Sequence, residues 1–196
     1  MTGVAGSSKA RATRVGLLDA AREVFCAAGY TDANIVAIAD LAGASVGSLY
    51  HHFSAKSDLY LTLYNDYQKR QQHRSAKAFK TAMAAGEDNT LELFIIGARA
   101  YLEGCWQERR LARLFLSGDG PPGFDLVTRE SRREWLRANS VLADGYPRPL
   151  SDMLVLVLTA ISTEAGREVA AAPSKAKAHR MIDEVLELMG RLYPAE

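Results

Sequence analysis

The chain has 196 residues, 48% apolar and 24% charged, with a formal net charge of +1. That balance can bury a core and excludes wholesale disorder. The densest apolar run, Met153 to Ile161, is half of the ~18 residues a membrane helix needs. The opening MTGVAGSSKARATR also lacks the apolar stretch of a secretory signal.

Cys26 and Cys105 lie far apart without Cys-x-x-Cys spacing, so neither a disulfide framework nor a zinc site is indicated. A soluble cytoplasmic protein is expected, with one core or a small module fused to a medium one. The charge is unevenly placed. Residues 1–80 hold ten Lys/Arg against six Asp/Glu, and the remainder holds fourteen against seventeen. A polyanionic partner would therefore meet the N-terminal part. All six prolines fall at or after position 121, which leaves the first 120 residues free to be helical.

In chain order, residues 1–8 are small and polar and read as a flexible tail. Leu18, Ala21, Phe25 and Ala28 recur at three and four residues, as one face of a first helix does. That helix should end at Gly29, a natural left-handed cap. Asn34 can cap a short second helix, Ile35 to about Leu41, whose face is Ile35, Ile38, Ala39 and Ala42. The tight turn Ala42-Gly43-Ala44-Ser45 follows, then a third short helix from Val46 to about His52. A fourth helix runs from Lys56 to about Ala85. After Gly86–Thr90 a fifth carries Leu91, Phe94, Ile95, Ala98, Tyr101, Leu102 and Cys105 at helical spacing. A sixth precedes the Gly118–Gly123 segment, whose glycines and prolines require a loop. The seventh, roughly Phe124 to Ala143, is heavily charged. The run MLVLVL could be a buried strand, but it follows the helix start Pro149-Leu150-Ser151-Asp152 and has no second strand to pair with. The last two helices are therefore placed at about 150–170 and 175–193. The fold class is all-α, with about nine helices.

Two short helices joined by a three- or four-residue turn containing Gly form a helix-turn-helix. The third helix, Val46-Gly47-Ser48-Leu49-Tyr50-His51-His52-Phe53, places only Leu49 and Phe53 at core spacing. Its other positions are small, hydroxylic or imidazole. A glycine in a short helix costs roughly 1 kcal/mol relative to alanine, so something should require close approach there. The N-terminus behind Ser45 offers free amides to a phosphate, and Tyr50, His51 and Lys56 add further donors. Adjacent helical residues point roughly 100° apart, so His51 and His52 cannot chelate a metal together.

Gly29-Tyr30, Ile38-Ala39, Ala42-Gly43-Ala44-Ser45, Gly47 through Phe53 and Lys56-Ser57-Asp58-Leu59 together resemble the DNA-binding domain of TetR-family transcriptional regulators. The likeness covers about 50 residues. It implies a DNA-binding domain over 9–55 and a helical effector-binding and dimerisation domain over 56–196. It further implies that Ser45, Tyr50, His51 and Lys56 contact phosphates and that Val46, Gly47 and Ser48 face bases, with Asn34 also counted among the DNA-facing residues. One departure stands out: Val46 replaces a lysine often found after the capping serine, and could instead touch a thymine methyl. The basic arm Lys9, Arg11 and Arg14 could reach the adjacent minor groove.

By the same resemblance, the fourth helix is a rod whose tilt sets the spacing of two recognition helices in a dimer. Aromatic residues gather at Tyr64, Tyr67, Phe79, Phe94, Tyr101, Trp106, Phe115, Phe124 and Trp135. A cavity among helices four to seven would accept a lipophilic compound, with Phe94, Tyr101, Trp106 and Trp135 as its candidate lining and Arg99 or Glu103 supplying polarity. The last two helices are apolar enough to pair across a twofold axis. The four histidines show no metal or catalytic spacing, and no nucleophile elbow, P-loop or dinucleotide fingerprint occurs. No catalytic residue, cofactor or metal is expected. The expectation is a homodimeric repressor released from a palindromic operator by a small lipophilic effector. An activator, or a regulator answering to a protein partner, is the alternative, and an enzyme is a remote one.

Overall fold

The computed structural model describes residues 3–139 and 151–192, and all regular structure among them is helical. Nine helices are found among these residues: α1 Gly3–Ala28, α2 Ile35–Leu41, α3 Val46–His52, α4 Lys56–Ala84, α5 Thr90–Gln107, α6 Arg109–Leu116, α7 Phe124–Asn139, α8 Asp152–Ala171 and α9 Lys175–Arg191. Helix α1 begins at Gly3, inside the stretch whose composition suggests a tail. The expected continuation of α7 to Ala143 and the prolines at 147 and 149 lie outside the described residues. No described helix is long and apolar enough to cross a membrane.

The chain divides into two compact units. One comprises the chain up to Tyr67 together with Leu114–Pro122, and the other Gln68–Arg113 together with the chain from Gly123 onward. The first unit therefore runs beyond residue 55 and recruits a segment from far along the chain.

In the first unit, α1 turns Leu17, Ala20, Ala21 and Phe25 inward. The buried stripe is displaced from the one expected, since Ala28 is exposed and Leu18 only partly covered. Both stripes have helical spacing, and tertiary packing selects between them. Ile38 and Ala39 of α2, Leu49 and Phe53 from the third-helix segment, and Leu59, Tyr60, Leu63, Tyr64 and Tyr67 of α4 complete this core. Phe115 lies at its centre, with ring centroids 5.2 Å from Tyr60 and 5.4 Å from both Tyr64 and Tyr67. The Tyr60 and Tyr64 pairs are edge to face and the Tyr67 pair is tilted; an edge-to-face pair contributes about 0.5–1.5 kcal/mol beyond area burial. Three aromatics expected near a ligand cavity (Tyr64, Tyr67 and Phe115) thus serve as core of the first unit.

The second unit is built on α5, α8 and α9. Leu91, Phe94, Ala98 and Leu102 of α5 pack with Val155, Leu158 and Val169 of α8 and with Ala178, Ile182, Leu186 and Met189 of α9. The run MLVLVL is part of α8, capped by Ser151, whose hydroxyl accepts from the Leu154 amide. Asn89 and Ser174 cap α5 and α9 in the same manner.

Candidate nucleic-acid interface

Helices α2 and α3 are seven residues each, too short to persist alone, so caps and packing hold them. Asn34 Oδ1 accepts from the Val36 amide at 2.8 Å, and Ser45 Oγ accepts from the Ser48 amide at 3.1 Å. Between them Gly43 takes φ +63°, a left-handed conformation that side chains with a Cβ disfavour. Leu49 and Phe53 are buried, and the Arg14 guanidinium of α1 lies 4.7 Å above the Phe53 ring. These contacts fix α3 by one face only.

The opposite face is open. Ser45, Gly47 and His51 are exposed, Val46, Ser48 and His52 are partly so, and Tyr50 retains 52% of its surface. A tyrosine packed against α1 would not. A Cβ built on Gly47 would meet nothing nearer than Ser45 Oγ at 3.9 Å, so nothing within the unit requires a glycine there. His51 and His52 stack edge to face at 5.4 Å. From Asn34 to Phe53 the chain carries no Lys or Arg and a single acid, Asp40. Any phosphate met here is bound by amides, hydroxyls and imidazoles, and the formal positive charge lies on α1, where Lys9, Arg11 and Arg14 are exposed.

Lys56 is engaged within the unit. Its ammonium donates to the carbonyls of Tyr30 at 2.7 Å, Thr31 at 3.2 Å and Ala33 at 3.0 Å, and sits 4.5 Å above the Tyr30 ring. An ammonium has three N–H donors, and all three are taken. Lys56 thus holds the α1–α2 turn.

That turn is gripped from the other side by Asp119, of the Gly/Pro loop after α6. Its carboxylate accepts from the Tyr30 amide at 2.6 Å, the Thr31 amide at 3.4 Å and the Thr31 hydroxyl at 2.8 Å. The Tyr60 hydroxyl donates to the Asp119 carbonyl at 2.7 Å. Burial alone would raise the Asp119 pKa. The three hydrogen bonds and the nearby Lys56 charge outweigh it and hold the carboxyl below its ordinary value. Tyr60 moves the other way, pushed up by burial and then by the Asp119 charge. Gly29 closes the arrangement: its φ is +79°, and a Cβ there would collide with the Asp119 carboxylate. Asp119 and Thr31 carry no sequence signal, because their pairing spans 88 positions.

The profile described as bacterial regulatory proteins, tetR family, matches residues 17–63, the stretch that holds α2, α3 and this turn. The fatty acid degradation regulator FadR from Bacillus halodurans has the same fold, with a TM-score of 0.68 at 18% identity over 90% of this chain and 94% of that one. FadR from Bacillus subtilis, solved in complex with stearoyl-CoA, gives 0.66 at 17% over 89% and 96%. NalD, the secondary repressor of the MexAB-OprM multidrug efflux pump in Pseudomonas aeruginosa, gives 0.69 at 16% over 94% and 96%. No curated protein matches the chain. Residues 17–63 thus match the tetR family of bacterial regulatory proteins, and the chain as a whole shares the fold of these regulators.

The four candidate ligand residues all lie in the second unit. Phe94 is buried and meets Trp135 edge to face at 5.8 Å. Tyr101, Trp106 and Trp135 are partly buried against the α5–α8–α9 core, and Arg109 lies 4.8 Å above the Trp106 ring. Arg99 pairs with Asp183 at 2.8 Å on the surface, so its charge is directed at α9. Glu103 is partly covered on α5. An open groove of about 310 Å³ lies on α8 and α9, lined by Ala165, Glu168, Val169, Met181, Val185 and Leu188 among others. None of the four aromatics lines it. Among the described residues no three His, Cys, Asp or Glu side chains are grouped to hold a metal ion.

Proposed function

We propose that this regulator is a homodimeric repressor that reads a palindromic operator through α2 and α3 and leaves it when a small lipophilic effector binds the second unit. The observation that carries the DNA reading is the open face of α3, where a glycine stands with no internal reason for being one. A duplex brought close supplies that reason. Ser45, Tyr50 and His51 then meet phosphates, Val46, Gly47 and Ser48 face base edges, and Asn34 holds the start of α2.

Dimerisation is supported by α8 and α9. Met153 (67% exposed), Val157, Leu188 and Leu192 are large apolar residues left in the open, and their helices flank the apolar groove. Such a surface rarely remains unpartnered, and a second copy covers it through a two-fold interface. The effector class rests on Phe94, Tyr101, Trp106 and Trp135 and on the stearoyl-CoA bound by the Bacillus subtilis FadR relative. Effector and operator would oppose one another reciprocally, each weakening the other by the same factor.

The test is selection from random duplexes with the purified chain, followed by fluorescence anisotropy on the selected site. His51→Ala should weaken binding to all sequences and reduce the slope of log affinity against log salt. Retention of no duplex, or a His51→Ala protein unchanged in both affinity and slope, refutes the reading. Release of the bound duplex on titration with fatty acyl-CoA or other lipophilic compounds supports the effector half.

A further inference from the structure

We infer that Asp119 is a positioning residue for DNA binding: from a loop well beyond the helix-turn-helix, it fixes the α1–α2 turn and thereby sets where α2 and α3 stand. The inference rests on the DNA-binding reading above and adds a residue that touches no DNA.

Residues 29–33 join two helices and belong to neither; the Gly29 amide still donates to the Phe25 carbonyl of α1 at 2.8 Å, but the groups beyond it leave the helical ladder and need other partners. Lys56 takes the carbonyl side at Tyr30, Thr31 and Ala33, the last immediately before the Asn34 cap of α2. Asp119 takes the amide side at Tyr30 and Thr31 and adds the Thr31 hydroxyl. The turn is thus held through donors and acceptors at once, by two side chains distant in sequence. Asp119 is itself held. The Tyr60 hydroxyl binds its carbonyl, its amide donates to Ser117 Oγ at 3.1 Å, and Pro121 is buried beside it in sequence. Every group meeting the carboxylate is a donor, so an amide in its place can satisfy only part of the set, while its own NH2 faces N–H groups.

Electrostatics and positioning predict opposite signs. Asp119 places a negative charge in the unit that approaches a polyanion. If its charge were all that mattered, Asp119→Asn would tighten DNA binding. If it positions the turn, the same change weakens operator binding, because the competent arrangement becomes a smaller fraction of the population.

The experiment measures operator and non-specific duplex affinity by anisotropy across a salt series, for the full-length wild type, Asp119→Asn, Asp119→Glu and Thr31→Val. The expected result is at least about a tenfold loss of operator affinity in Asp119→Asn, the equivalent of one charge-assisted hydrogen bond. The salt slope should be unchanged, since no phosphate contact is removed, and non-specific affinity should be unchanged or higher. Asp119→Glu should recover part of the loss, and Thr31→Val, which removes one donor, should show a smaller one. Should Asp119→Asn fail to fold, Thr31→Val and Asp119→Glu decide by the same readouts. Operator affinity equal to or above wild type in the folded variants overturns the inference while leaving the DNA-binding reading intact. A wild type that binds no duplex overturns both.

Discussion

Gly47→Ala moves stability and DNA affinity in opposite directions. An alanine Cβ at this position meets only Ser45 Oγ, at 3.9 Å, an ordinary van der Waals separation, so the folded unit accommodates it without adjustment. Replacing a helical glycine with alanine lowers the entropy of the unfolded chain and stabilises by about 0.5–1 kcal/mol. For a chain of this size that corresponds to a rise in Tm of roughly 1–4 °C. In the complex the same methyl stands where a base edge or phosphate is expected to approach, and crowding a packed contact costs about 1–3 kcal/mol, or roughly 5- to 150-fold in affinity. Differential scanning calorimetry of the free protein and anisotropy on the selected operator measure the two halves. A higher Tm with unchanged affinity removes Gly47 from the interface. A lower Tm shows that the space around it is not free.

Leu188→Glu places a charge on the exposed apolar face of α9 and should convert a dimer to a monomer with little loss of helicity, as read by light scattering and circular dichroism; a dimer that persists puts the interface elsewhere. Stability should fall at both ends of the pH range. The Asp119 carboxyl is held below its ordinary value, so its contribution is present above about pH 4 and is lost as pH falls through the folded value. Tyr60 is raised above its ordinary value of 10.0, so its contribution is present below pH 10 and is lost as pH climbs toward the folded value. Denaturant titrations across pH should show Asp119→Asn flattening the acid limb and Tyr60→Phe the alkaline one, and limbs that survive both substitutions refute the assignments.

The helices were legible because their signals are local. Gly29, Asn34, Ser45, Asn89, Ser151 and Ser174 each act within a few residues of their own position, and a cap or a left-handed turn leaves its mark on the sequence beside it. The buried partners of α3, Leu49 and Phe53, were legible for the same reason: only they repeat at core spacing. The register of α1 was not, since two stripes sharing Ala21 and Phe25 coexist there, and only the packing of Leu17 and Ala20 in place of Leu18 and Ala28 chooses between them. The aromatic residues show the limit more sharply. Tyr64, Tyr67 and Phe115 have a spacing equally suited to a cavity wall and to a core, and the outcome depends on Phe115, which enters the first unit from beyond α5.

Lys56 shows why a matching motif does not settle a role. Its place after α3 suits a phosphate ligand, and its chemistry, a cation with three donors, suits it no less to a turn with three unsatisfied carbonyls. Those carbonyls become available as a set only when the chain folds, because Tyr30, Thr31 and Ala33 stand 23 to 26 positions away. Charge complementarity then favours the arrangement seen: with Asp119 on the amide side and Lys56 on the carbonyl side, opposite charges lie across a turn they both hold, and each lowers the cost of covering the other. Val46 has no comparable internal duty. If DNA affinity in this chain is to come from positive charge, it must come from α1, and Arg14, half occupied with the Phe53 ring, is the arginine that ties that charge to the position of the third helix.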